Sequence, residues 1–140
     1  MRSQANELLT WSAKYNLGIT FADNHHKELV DVINRLHQAL VESKGKVAIG
    51  QTLNELIRYA KAHFAAEEKV LQSYGYPDSS GHHSDHECLA YALLEFYQKV
   101  MSDEAGMAAG SADFLKRWLG TEILEADIKF VPFLKDKGVH

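Results

Sequence analysis

Residues 63–86 read HFAAEEKVLQSYGYPDSSGHHSDH. The stretch holds His63 and Glu67 four apart, then His82 and His86 four apart, with Gly75, Pro77, Ser79, Ser80 and Gly81 between the pairs. In an α-helix, residues i and i+4 share a face about 6 Å apart along the axis. Each pair can therefore aim two side chains at one point, from two helices joined by a turn. Imidazole nitrogen with carboxylate oxygen is the donor mix that suits a borderline transition metal such as iron. The stretch predicts a metal site inside a helical bundle.

Outward from this stretch, the apolar period is helical on both sides. Leu53, Leu56/Ile57, Ala60, His63/Phe64, Glu67, Val70/Leu71 and Tyr74 follow one face and predict a helix over about 48–74. Pro77 cannot continue a helix, and Ser79 or Ser80 can begin another, so YGYPDSSG reads as a turn. The next helix is expected over about 80–102, with His82, His86, Leu89, Leu93, Phe96/Tyr97 and Val100 in register. Upstream, His26, Leu29/Val30, Ile33, Leu36/His37 and Leu40 predict a helix over about 22–43. Asp23 or Asn24 is expected to cap its start, and Gly45 to end it. Downstream, DEAGMAAGS reads as a loop before a last helix over about 111–130, with Phe114/Leu115, Trp118/Leu119, Glu122 or Ile123, and Asp127 facing inward. Residues 1–20 show no sustained period. Trp11, Tyr15, Leu17, Ile19 and Phe21 look like anchors of an extended arm lying over a core.

Four amphipathic helices with short connections predict an all-α domain over 1–140, an antiparallel up-down-up-down four-helix bundle with an N-terminal extended arm. His26, His63, Glu67, His82, His86 and Asp127 fall on the apolar faces, where an unpaired buried carboxylate costs several kcal/mol. A metal cluster supplies the partner that such a set needs.

Composition narrows the classes. At 140 residues, 46% hydrophobic and 24% charged, the chain is one domain with an ordinary globular balance. A net charge of −4, without a lysine or arginine cluster, gives no electrostatic case for nucleic acid. Cys88 is the single cysteine, so no disulfide forms within the chain and a reducing compartment fits. The N-terminus lacks the apolar core of a signal peptide, and no run of eighteen apolar residues occurs. The expectation is a soluble, cytoplasmic protein with no membrane partner. Eight histidines are the compositional oddity.

Five motifs in order resemble the hemerythrin family in its bacterial form, over nearly the whole chain. They are a Trp-led arm (Trp11, then Gly18-Ile19) and D-x-x-H-K-x-L at Asp23 to Leu29. H-F-x-x-E-E follows at His63 to Glu68, then Tyr76-Pro77 with H-x-x-x-H at His82 and His86. Last comes W-L with Asp127 nine residues after Trp118. The resemblance implies two non-heme iron ions joined by an oxo or hydroxo bridge. His26 and His63 would bind one iron and leave it an open position. His82 and His86 would bind the other, with Glu67 and Asp127 bridging both. Dioxygen, or peroxide, would be the small-molecule ligand. The resemblance implies oxygen binding, for storage or transport, or sensing of oxygen or redox state, with a signalling partner or fused domain as its output.

One position departs from the family pattern. The last helix usually reads W-L-x-x-H-I-x-x-x-D, whereas this chain has WLGTEILEAD, so Glu122 stands where a seventh ligand, a histidine, is expected. Glu122 could ligate, stand beside a ligand as an acid, or face a water. Its spacing of five from Asp127 matches the family's histidine–aspartate spacing and favours ligation. A milder departure is His25, where the family commonly has glutamine. A third carboxylate lowers the formal charge of a diferrous, hydroxide-bridged cluster from plus one to zero. In a low-dielectric core this favours the ferric state. It also makes an alternative, a di-iron peroxidase or oxidase, more credible by analogy. His37 and His83 read as surface groups or neighbours of the site, and Glu68 as a solvated acid.

Overall fold

The computed structural model describes residues 7–42, 44–102 and 107–140. Residues 1–6 of the expected arm, Ser43, and residues 103–106 of the expected loop lie outside the described residues. Helices α1 (Thr20–Val41), α2 (Lys46–Ser73), α3 (Ser79–Ser102) and α4 (Met107–Gly120) form an antiparallel up-down-up-down four-helix bundle. Among the described residues there is no strand. Each helix packs on the next, and α4 closes the ring against α1. The stripes meet at the centre, where Leu29, Ile33, Leu36, Leu53, Leu56, Leu71, Leu115 and Leu119 are fully buried. Full burial of one such side chain contributes roughly 1.5–3 kcal/mol.

The arm is tied down by two side chains of α1. Asn34, buried, accepts from the Leu9 backbone N–H at 2.9 Å and donates to the Leu9 carbonyl at 2.8 Å. Asp23 or Asn24 was expected to cap α1, but both lie inside the helix, and Ile19 holds the cap position and offers no side-chain bond. The Asp23 carboxylate turns back instead, accepting from the Leu17 N–H at 2.8 Å and the Gly18 N–H at 3.1 Å. Gly18 makes this turn with φ +80°, a conformation that other residues adopt at a cost. Of the expected anchors, Tyr15, Leu17 and Ile19 are buried, while Trp11 and Phe21 are half-buried and Phe21 belongs to α1.

Two other expectations change. Gly45 does not end α1, which stops at Val41; it precedes α2 with φ +95°. Tyr74, expected on the buried face of α2, is exposed. At the α2–α3 turn, Gly75 takes φ +75° and donates to the Gln72 carbonyl, while the Tyr76 N–H reaches the Leu71 carbonyl at 2.9 Å. These paired bonds satisfy the last carbonyls of α2.

The last helix differs most from a uniform element over 111–130. Its α-helical part begins at Met107 and ends at Gly120. A π-helical turn (Thr121–Ala126), a 3-10 turn (Asp127–Phe130) and a short helix α5 (Val131–Asp136) follow.

Candidate metal centre

Each bundle wall contributes to one buried cluster. His26 comes from α1, His63 and Glu67 from α2, and His82 and His86 from α3. Glu122 and Asp127 come from the π turn and the residue after it. All seven are buried, none more than 3% exposed. The two i,i+4 pairs converge because α2 and α3 are regular helices there. Glu122 and Asp127, five apart, would point about 140° away from each other on a regular α-helix. The Asp127 N–H bonds to the Glu122 and Ile123 carbonyls, so the backbone takes an extra residue into this turn. The wider turn brings both carboxylates to one face.

The donor atoms fall into two groups. In the first, His26 Nε2 lies 2.6 Å from Glu122 Oε2 and 2.7 Å from Asp127 Oδ2. His63 Nε2 lies 3.1 Å from Glu67 Oε2 and 3.5 Å from the same Glu122 and Asp127 oxygens. In the second, His82 Nε2 lies 2.8 Å from Glu67 Oε1 and 3.2 Å from Asp127 Oδ1. His86 Nε2 is 3.1 Å from Glu67 Oε1. Within each group, the donor atoms lie within 4.8 Å of one another. Glu67 and Asp127 thus present one oxygen to each group.

Hydrogen bonds from His26 to Asp127 Oδ2, and from His82 and His86 to Glu67 Oε1, satisfy only part of the centre. His63 Nε2, Glu67 Oε2, both Glu122 oxygens and Asp127 Oδ1 are buried without an aligned hydrogen bond. The short Glu122–His26 contact is among these misaligned ones. Lone pairs aimed together at this depth cost free energy unless a cation lies among them. The residues fit one or two metal ions on this ground.

Charge points the same way. Burial alone would lower the imidazole pKa values, but the surrounding carboxylates outweigh it. Asp127 and Glu122 hold His26 up at about 9. Asp127 and Glu67 hold His82 at about 9, and Asp127, Glu67 and Glu68 hold His86 at about 10. His63 is raised well above its usual value for the same reason. Burial would raise Asp127, as would the charge of Glu67, yet the histidines pull it to about 2. Burial would raise Glu67 too, yet the facing imidazoles, His63 at 3.1 Å among them, hold it well below the usual carboxylate range. The cluster calls for positive charge and holds protons where no metal supplies it.

The rings are also held from behind. His86 Nδ1 bonds to Glu68 Oε2 at 2.7 Å, and Glu68 Oε1 bonds to His83 Nδ1 at 2.6 Å. Glu68 therefore does more than the solvated acid expected of it: it orients a cluster histidine, with exposed His83 on its far side. Its signal was present in the sequence, since the residue after Glu67 is rotated only about 100° from it. His25 Nδ1 meets His63 Nδ1 at 2.9 Å and fixes which nitrogen of His63 faces the centre. His37 is half-buried and stands apart from the cluster, beside Lys116. Phe64 stacks on the His86 ring at 4.2 Å, and Phe130 meets His82 edge-on at 5.4 Å.

Residues 17–134 match the family model described as the hemerythrin HHE cation binding domain. The chain belongs to the hemerythrin family. A bacteriohemerythrin of Methylococcus capsulatus is 31% identical over 128 residues, covering 91% of this chain and 97% of that one. A bacteriohemerythrin of Pseudomonas aeruginosa is 34% identical over 125 residues, covering 88% of this chain and 79% of its own. A crystal structure of wild-type hemerythrin superposes with a TM-score of 0.78 at 31% identity, over 89% of this chain and 96% of that one. In keeping with this hemerythrin fold, no helix among the described residues is long and apolar enough to cross a membrane.

Proposed function

We propose that this protein is an oxygen-binding hemerythrin domain over residues 1–140, holding two non-heme iron ions in the cluster just described. His26 and His63 would hold one ion, His82 and His86 the other, and Glu67 and Asp127 would bridge them. Glu122 would be the remaining protein ligand. The observation that carries this reading is the pair of carboxylates, Glu67 and Asp127, each offering separate oxygens to two histidine groups. A single ion would leave one of those groups unsatisfied.

When bound, the pair of ions supplies reversible two-electron chemistry toward dioxygen. The chain's own residues do the rest. Four helices fix the donors so that loading requires little rearrangement, and the apolar shell of Phe64, Trp118, Leu119, Ile123 and Phe130 excludes bulk water. His25 and Glu68 hold the rings of His63 and His86 from behind. A soluble, cytoplasmic role in oxygen delivery or redox sensing is compatible with this arrangement.

Metal analysis of protein purified without added metal is expected to give two irons per chain. Mixing the reduced protein with dioxygen should produce a charge-transfer band that fades under vacuum. Iron near zero, with zinc or manganese absent too, would end the metal reading. Sustained turnover of peroxide with a reductant would favour the enzyme alternative instead.

A further inference from the structure

We propose that His37 is an acid-sensitive latch under the N-terminal arm: protonation of its buried ring nitrogen frees the arm from α1 and α4. His37 follows His26 by eleven residues of α1, about 16 Å of helix. The latch is therefore separate from the metal centre and holds whether or not ions fill it.

The arm meets α1 at Asn34, which holds the Leu9 N–H at 2.9 Å and the Leu9 carbonyl at 2.8 Å. His37 comes one turn after Asn34, on the same face of the helix. Glu7 and Leu8 of the arm, His37 and Glu42 of α1, and Lys116 of α4 border one cavity of about 430 Å³. The arm then runs on beside α4, where Leu9, Tyr15, Gly120 and Leu124 border a second cavity. Freeing the arm would uncover this side of the bundle as far as the π turn.

His37 Nδ1 is buried without a hydrogen-bond partner. A neutral ring can leave that nitrogen as a bare lone pair, but an imidazolium must donate from both nitrogens. A charged donor kept dry and unpaired is costly. Among the described residues, the charged groups bordering the cavity offer no relief. Lys116 opposes a second positive charge. Glu42 is turned to Gln38 at 2.7 Å and to Lys44 at 3.4 Å, and Glu7 accepts from Thr10 at 3.5 Å. Burial, with Lys116, accordingly holds His37 below its ordinary value of 6.5. Lifting the arm lets water reach Nδ1, so the open form takes the proton more readily than the closed one. Above about pH 6.5 both forms are neutral and the arm stays down. Below it, opening gains up to about tenfold per pH unit until the closed form is protonated as well.

The test is amide exchange at Leu9 in the whole metal-loaded protein between pH 7.5 and 5.5, with the intrinsic pH dependence of exchange divided out. Leu9 protection is expected to fall by about three- to tenfold over this interval, while that of Leu53 and Leu56 in the bundle holds. His37→Leu puts a side chain that takes no proton in the same place, and its Leu9 protection should stay flat. Every other titratable group is retained in that variant, so the difference belongs to His37. A flat profile in the wild type, or an undiminished fall in His37→Leu, overturns the latch. Where His37→Leu fails to fold, Lys116→Gln decides. Losing the opposing charge should shrink the fall about twofold, and a fall of unchanged size overturns the proposal.

Discussion

Glu122 changes charge as well as geometry. It places a third full carboxylate against a cluster whose other acids, Glu67 and Asp127, are already fully buried. Coulomb's law at an effective dielectric near 20 gives roughly 4 kcal/mol for a unit charge about 4 Å away. That energy favours the ferric state, because each added positive charge on the metal is met by one more negative charge on the protein. Glu122→His should therefore raise the reduction potential by on the order of 100 mV and slow autoxidation in air. Redox titration of both iron-loaded proteins measures it; equal midpoints would contradict the charge argument. The sequence alone brought Glu122 into view, because it interrupts an otherwise complete motif. That it lies against His26, at 2.6 Å, was not legible there, since that depends on where a backbone turn aims the carboxylate.

Helices α1 to α3 were readable because their stripes obey one period and because Gly75 and Pro77 punctuate the α2–α3 turn. The π turn was not readable. A template of 3.6 residues per turn separates Glu122 from Asp127, and only their common chemistry hints that the backbone joins them. Local capping rules likewise expected Asp23 to serve its own helix, whereas its carboxylate binds the arm. Asn34 was overlooked altogether, although a polar amide beside apolar Val32 and Ile33 marks a place where something must be hydrogen-bonded. Its two bonds to Leu9 anchor the arm as a strand partner would. Asn34→Ala leaves the Leu9 N–H and carbonyl without partners, a loss of about 1–3 kcal/mol. The expected result is a lower urea midpoint together with faster amide exchange at Leu9, while iron content holds. Unchanged exchange at Leu9 would show that the apolar anchors Tyr15, Leu17 and Ile19 suffice.

Across the whole molecule, the bundle encloses three carboxylates and four imidazoles, and their charge must be balanced by either metal or protons. This makes stability depend on pH in a way that metal should erase. In metal-free protein, His26 and His82 sit at about 9 and His86 at about 10, above their usual value of 6.5. A raised histidine stabilises the fold fully below its unfolded pKa and loses that contribution as pH climbs through the folded one. The acids act at the other end: Asp127, drawn down to about 2 from 3.8, stabilises above its unfolded value and stops doing so as pH falls through about 2. Chelated protein should therefore be most stable between about pH 4 and 6.5, with Tm falling by on the order of 5–10 °C as pH rises to about 10. In loaded protein the ions replace those protons, so the same alkaline interval should leave Tm nearly flat and higher throughout. Acid reverses the advantage, because protons compete for the imidazole nitrogens and release the metal. Calorimetry of chelated and loaded samples across this range decides the matter: parallel curves from pH 6 to 10 would mean that the buried histidines carry no such protons.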